Sequence, residues 1–167
     1  TIIYPGILGG SNWSPISINS DLNLAFVSGI HAPIKYTLHE KNTENGITEY
    51  TSSEPTNDPQ WGLLSAINLS TGKIQWQYKT PQPLVGGTLS TKGGLVFLGE
   101  GNGNFNAIDA ASGALLWQTY IDAGVNAPPI TYLIDGEQYI AVVAGGNKIM
   151  GFSQGDYISV YKLPKAE

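Results

Sequence analysis

The sequence has no arginine, no cysteine and a single methionine, and only 13% of its 167 residues are charged. Each shortage excludes something. All eight cations are lysines and the net charge is −5, which argues against the basic, arginine-rich face of a nucleic-acid binder. Without cysteine there are no disulfides and no thiolate metal sites, and the compartment stays open. No apolar run approaches the ~18 residues of a membrane-spanning helix. Charge falls well below the usual ~25%, so long solvated helices are not expected. What is present is 41% hydrophobic residues, with 21 Gly and 10 Pro. That is enough apolar side chain for a sizeable core, broken by many turns, and it argues against disorder. Thr1 stands in place of a start methionine, so the N-terminus is expected to be processed or truncated.

Two segments repeat at an offset of 41 residues. Residues 65–76, Ser-Ala-Ile-Asn-Leu-Ser-Thr-Gly-Lys-Ile-Gln-Trp, align with 106–117, Asn-Ala-Ile-Asp-Ala-Ala-Ser-Gly-Ala-Leu-Leu-Trp. A period near 40 residues suits propeller blades or helical arrays. The small polar turn ending in Gly suits a hairpin. Short apolar runs bounded by Gly, such as Val96-Phe97-Leu98 and Ile140-Ala141-Val142-Val143, suit buried strands. The expected fold is all-β: a partial β-propeller of about three four-stranded antiparallel blades. The first takes strands near 13–18, 24–27, 62–67 and 74–78. The second takes 87–90, 95–98, 105–108 and 115–119. The third takes 129–132, 139–143 and 157–161, and lacks one strand. Residues 29–60 hold both histidines and interrupt the first blade, as a long inter-strand insertion expected to form a rim loop. Fewer than four blades do not close a ring, and open strand edges invite a partner or a second copy.

Several motifs then occur in a fixed order: Gly9-Gly10-Ser11-Asn12-Trp13-Ser14-Pro15, the repeated Ala-x-Asn/Asp-x-x-Thr/Ser-Gly-x-x-x-Trp, and Gly86-Gly87-Thr88-Leu89-Ser90. They are followed by Pro129-Ile130-Thr131-Tyr132, Asp135-Gly136-Glu137-Gln138-Tyr139 and Gly155-Asp156-Tyr157. In this order they resemble the C-terminal portion of the quinoprotein dehydrogenases, the pyrroloquinoline quinone (PQQ)-dependent alcohol, methanol and glucose enzymes. Val85 before Gly86-Gly87, together with Pro59-Gln60-Trp61-Gly62, leans toward the membrane glucose dehydrogenase branch, hence a sugar or polyol substrate. The resemblance implies an eight-bladed parent whose last blade is closed by a strand from the N-terminal part. It also implies a periplasmic location, a quinone or cytochrome acceptor, and hydride transfer from a carbinol carbon to PQQ with calcium and a carboxylate base. The base and most calcium ligands of that family precede this region, so no catalytic residue and no metal ligand is assigned here.

The resemblance implies cofactor-facing roles for Asn12, Trp13 and Asn102. An Asn12 amide can donate to quinone oxygens, or it can cap a turn after Gly9-Gly10. Trp13 lines the cavity or packs in the core. Asn102-Gly103 occupies a turn where relatives carry Asp-Gly, and its plain reading is a two-residue hairpin turn. Glu100, Asn102 and Asn104 alternate like a calcium loop, but Phe105 and Ala111 replace the required Gly and Glu. Trp76 and Trp117 are expected to pack between blades. His31 and His39 alone make a poor metal site. The alternative to a piece of an enzyme is a non-catalytic binding or assembly module that has lost the cofactor.

Overall fold

A computed structural model describes residues 1–12 and 14–163. Trp13 therefore lies outside the described residues. Among the described residues all regular structure is strand: β1 (Ile2–Ile3), β2 (Ser17–Asn19), β3 (Leu24–His31), β4 (Ile34–Thr43), β5 (Gly46–Pro55), β6 (Trp61–Asn68), β7 (Ile74–Thr80), β8 (Thr88–Ser90), β9 (Leu95–Gly99), β10 (Asn104–Asp109), β11 (Leu115–Tyr120), β12 (Ile130–Ile134), β13 (Glu137–Ala144) and β14 (Tyr157–Lys162).

Three antiparallel sheets follow one another along the chain, in the orders β2-β3-β6-β7, β8-β9-β10-β11 and β12-β13-β14. They are the three expected blades, and among the described residues the third holds three strands. The sheets stack because both faces of each middle strand are apolar. In the first interface Leu24, Phe26, Leu64 and Ala66 meet Leu84, Val96, Leu98 and Ile108. In the second, Phe97, Phe105 and Ala107 meet Ile140, Val142 and Ala144. Alternation along β9 decides this, since Val96 and Leu98 face back while Phe97 faces forward. The first strands of neighbouring sheets lie side by side, with Ser17 Oγ 2.8 Å from Thr88 Oγ1 and Thr88 N–H donating to the Pro15 carbonyl at 3.1 Å.

The repeat builds one turn twice. Asn68 Oδ1 accepts from Ser70 N, Thr71 N and Thr71 Oγ1 at 3.1, 2.9 and 3.0 Å. Asp109 Oδ1 accepts from Ala111 N, Ser112 N and Ser112 Oγ at 3.1, 2.7 and 2.7 Å. Each turn closes on a left-handed glycine, Gly72 (φ 68°) or Gly113 (φ 78°), a conformation that other residues adopt at a cost. Trp76 reaches across to the second of these turns. Its Nε1–H donates to the Ala110 carbonyl at 3.1 Å. Its ring lies against Gly113 so closely that a Cβ there would meet Trp76 Cδ2 at 2.7 Å. Covering most of an indole in this way is worth about 2–3 kcal/mol.

Two expectations are corrected. The insertion is not an irregular loop: β4 and β5 pair along their whole lengths, from Ile34↔Pro55 to Thr43↔Gly46, around the two residues Glu44-Asn45. Period-2 alternation in Ile34-Lys35-Tyr36-Thr37-Leu38-His39 and a Gly46 at φ 121° account for this arm, which β1 extends to a three-stranded sheet. The turn at Asn102-Gly103 is also longer than two residues. Glu100 and Asn104 form its base, with Glu100 N–H donating to the Asn104 carbonyl at 2.8 Å and Gly103 N–H to the Glu100 carbonyl at 3.1 Å. It is a tight turn completed by Gly103 at φ 98°, a three-residue hairpin loop.

Candidate cofactor-facing rim

Antiparallel order brings the turn between the second and third strands of each sheet to the same edge as the loops that enter the sheets. That edge carries residues 9–16, 81–87, 100–103, 121–129 and 145–156. Glycines let these loops close on one another. Gly87 is wedged between Pro15 and Pro128, and a Cβ there would meet Pro15 Cγ at 2.6 Å and Pro128 Cβ at 2.9 Å. Beside it Ile30, Val85 and Phe152 form a small apolar cluster with Leu8 and Met150 packed against it.

Asn12 is exposed on the loop entering the first sheet. On either side the loop is tied down: Ile30 N–H donates to the Gly10 carbonyl at 2.7 Å and Ser14 Oγ–H to the Val85 carbonyl at 2.7 Å. The flanking bonds fix the backbone and leave the Asn12 amide facing solvent. Asn102 differs. Its Nδ2 donates to Glu100 Oε2 at 3.1 Å and its Oδ1 accepts from Asn104 N–H at 3.0 Å, so both ends of the amide hold its own turn.

The sequence pattern marked Glu100 only as a position in a rejected calcium loop and missed its burial at the base of that turn. Glu100 is 2% exposed. Asn106 Nδ2–H donates to its Oε1 at 2.5 Å, and Gln118 Nε2–H donates in turn to Asn106 Oδ1 at 2.8 Å. Buried carboxylates normally require such donors. Burial first, and the Glu100 charge second, push the Tyr78 phenol above its usual value. The available signal was a glutamate closing an apolar strand, with asparagines two and six residues on. The Glu100 main chain also anchors the next loop, accepting from Val125 N–H at 2.9 Å.

The histidines are separate. His31 stacks on Trp61 with ring centroids 3.5 Å apart, Tyr4 is 5.3 Å from His31, and Lys79 Nζ is 4.2 Å from the Trp61 centroid. His39 lies on the arm against Tyr50, with Nε2 2.6 Å from Ser52 Oγ. Among the described residues no group of three or more His, Asp or Glu side chains could hold a metal ion.

PQQ carries three carboxylates, and these call for guanidinium or ammonium partners. This rim offers exposed amides at Asn12 and Gln154, a buried Asn126 amide nitrogen without a hydrogen-bond partner, carboxylates at Glu100, Asp122 and Asp156, and a single exposed cation at Lys148 among the described residues. Such a donor set does not by itself fit the group, and no chemical step is derived through it.

The family model "Glucose/ethanol/alcohol dehydrogenase, beta-propeller domain" matches residues 45–140. The quinoprotein alcohol dehydrogenase PedE of Pseudomonas putida is 36% identical over 96% of this chain, which covers 26% of that protein. The quinoprotein glucose dehydrogenase A of Acinetobacter calcoaceticus is 28% identical over 98% of this chain, which covers 26% of it. The crystal structure of the quinohemoprotein alcohol dehydrogenase from Comamonas testosteroni superposes with a TM-score of 0.78 at 25% identity, over 99% of this chain and 29% of that one. The chain thus spans roughly a quarter of the length of the relatives it matches. With three propeller-type sheets in order and the family's model covering more than half of the sequence, the chain belongs to the PQQ-dependent quinoprotein dehydrogenase β-propeller family.

Proposed function

We propose that this chain is one part of a PQQ-dependent dehydrogenase that oxidises an alcohol, polyol or sugar at its carbinol carbon. The observation that carries the reading is the match of the family model from the second strand of the arm, through the last two strands of the first sheet and the whole second sheet, into the third. Bound PQQ would supply the hydride acceptor, with a calcium ion beside it. This segment would contribute one wall: the Asn12 amide as a donor, Trp13 next to it in sequence, and Asn102 as a brace of the neighbouring turn. The carboxylate base, the metal ligands and the cationic partners of the cofactor would come from the rest of the protein. Val85 favours a sugar substrate. The higher identity to the alcohol enzyme, 36% against 28% for the glucose enzyme, favours a simple alcohol. A periplasmic location and a quinone or cytochrome acceptor complete the proposal.

The inward-turned Asn102 and the buried charge of Glu100 favour a second reading, a propeller module without cofactor. Titrating PQQ with calcium into the full-length protein separates the two. Saturable binding, with dye-linked oxidation of ethanol or glucose, is expected. Asn12→Ala is expected to weaken PQQ binding by up to about tenfold, the worth of one neutral hydrogen bond to a quinone oxygen. Failure of the full-length protein to bind PQQ would leave the module reading in its place.

A further inference from the structure

The sequence holds two Asn-Gly pairs, Asn45-Gly46 at the tip of the arm and Asn102-Gly103 on the rim. Glycine after asparagine leaves the side-chain amide carbon open to attack by the next main-chain nitrogen, because no Cβ stands in the way.

The fold treats the two pairs oppositely. Both ends of the Asn102 amide are held, with Nδ2–H donating to Glu100 Oε2 at 3.1 Å and Oδ1 accepting from Asn104 N–H at 3.0 Å. Gly103 is buried and also held on both sides. Its N–H donates to the Glu100 carbonyl at 3.1 Å, and its carbonyl accepts from Ile121 N–H at 2.8 Å. A Cβ at Gly103 would run into the Ile121 carbonyl and the Tyr120 ring. Bringing the Asn102 amide carbon onto Gly103 N therefore gives up both amide bonds and the Gly103 N–H bond, in a turn with no room to swing. Asn45 lies in a stretch, 41–50, in which every residue is exposed. Its amide has no hydrogen-bond partner among the described residues. Gly46 has φ 121°, and a Cβ there would meet nothing within 4 Å. The Thr43 hydroxyl donates to the Gly46 carbonyl at 2.9 Å, an anchor that leaves the Asn45 side chain untouched.

We infer that Asn45 is a site of spontaneous covalent modification, by main-chain attack and deamidation, and that the Glu100 turn protects Asn102 from the same reaction. Gly46 N attacks Asn45 Cγ and closes a five-membered succinimide. The Cγ–Nδ2 bond breaks, and ammonia leaves with the proton that Gly46 N gives up. Water then opens the ring at either carbonyl, leaving aspartate or isoaspartate, with no oxidant or reductant taking part. The new carboxylate stands beside Glu44 and close to the facing Glu40 and Glu49, so conversion adds negative charge to an acidic tip, which disfavours strand pairing there. The isoaspartyl form also lengthens the main chain at the point where Thr43 pairs with Gly46. One sequence thus gives a neutral and an acidic arm tip, in a ratio that records the age of the molecule. The inference is independent of the cofactor, because it uses only the two turns.

The test incubates the full-length protein at mildly alkaline pH, folded and in guanidinium chloride. Lysine-specific digestion then separates 42–73, with Asn45, from 93–148, with Asn102, and mass spectrometry follows amide-to-acid conversion in each. In the folded protein Asn45 should convert at least about a hundredfold faster than Asn102, the scale of a misplaced attacking group. In guanidinium chloride Asn102 should accelerate until the two rates converge, and isoaspartate should accompany aspartate at position 45. Folded rates that match one another, or a faster Asn102, overturn the inference. An Asn102 rate unmoved by unfolding overturns the protective role of the Glu100 turn. Aspartate without isoaspartate at 45 would mean direct hydrolysis by water and would overturn main-chain attack.

Discussion

Asn68 and Asp109 close equivalent turns, one with a neutral amide and the other with a carboxylate. Hydrogen bonds from the Ser112 hydroxyl, then from the Ser112 and Ala111 backbone, hold the Asp109 carboxyl below its usual value. A lowered folded pKa means that the carboxylate's contribution is fully present above about pH 4, the ordinary aspartate value. It fades as pH falls through the folded value. Asp109→Asn, which reproduces what Asn68 already does, is therefore expected to flatten the acid side of the stability profile. Urea midpoints at pH 7 and pH 3 check this: the parent chain should lose more than the variant. Equal losses would mean that the charge at this turn does nothing. The Asn/Asp-to-Gly spacing made both turns readable from the sequence. The partnership of Glu100 with Asn106 was not readable, because it depends on two side chains of neighbouring strands pointing to one side of a sheet.

At the scale of elements, the strands of the three sheets were legible because their apolar runs are short and bounded by glycine. The arm was not, because its alternation is diluted by Thr, Ser and Glu, and neither of its faces is buried in a core. Leu38, Ile47 and Tyr50 on it are all exposed. Its hydrogen bonds are internal or made to β1, so it draws little from the sheets. Replacing 34–55 by a short glycine-containing turn between β3 and β6 should change stability by less than about 1 kcal/mol, the scale of a surface change. Chemical denaturation monitored at Trp76 measures this. A large drop would show that the arm braces the first sheet. Glu40 and Glu49 face one another across the arm, where like charges are unfavourable.

At the scale of the whole molecule, the stack has two unlike ends. The outer face of the third sheet shows Ile130, Val143, Ile158 and Val160, between 46% and 76% exposed. The outer face of the first shows Ile16 and Ile18 at 52% and 56%. An apolar face this continuous marks a surface made to be covered. The sequence announced it only through the count of strands, since inward and outward positions of a fully buried sheet carry the same residue types. The rim was legible as a set of motifs, but its charge balance was not, because Glu100 reads as a surface residue until its burial is known.

The Trp76 contact runs in one direction: the first sheet offers the ring and the second sheet offers the cover. Such a stack has a polarity, and polarity gives an order of assembly to a chain that emerges from its N-terminus. The first sheet's indole is therefore expected to stay open until the third strand and turn of the second have been made. With Trp13, Trp61 and Trp117 replaced by Phe, chains cut after Ser90 should therefore show red, solvent-quenchable Trp76 emission, and chains cut after Tyr120 a blue-shifted, protected one. Identical emission from both lengths would mean that the contact adds nothing to the joining of the sheets. In that order of assembly the first sheet is locked by the one made after it, as a ratchet is held by its next tooth.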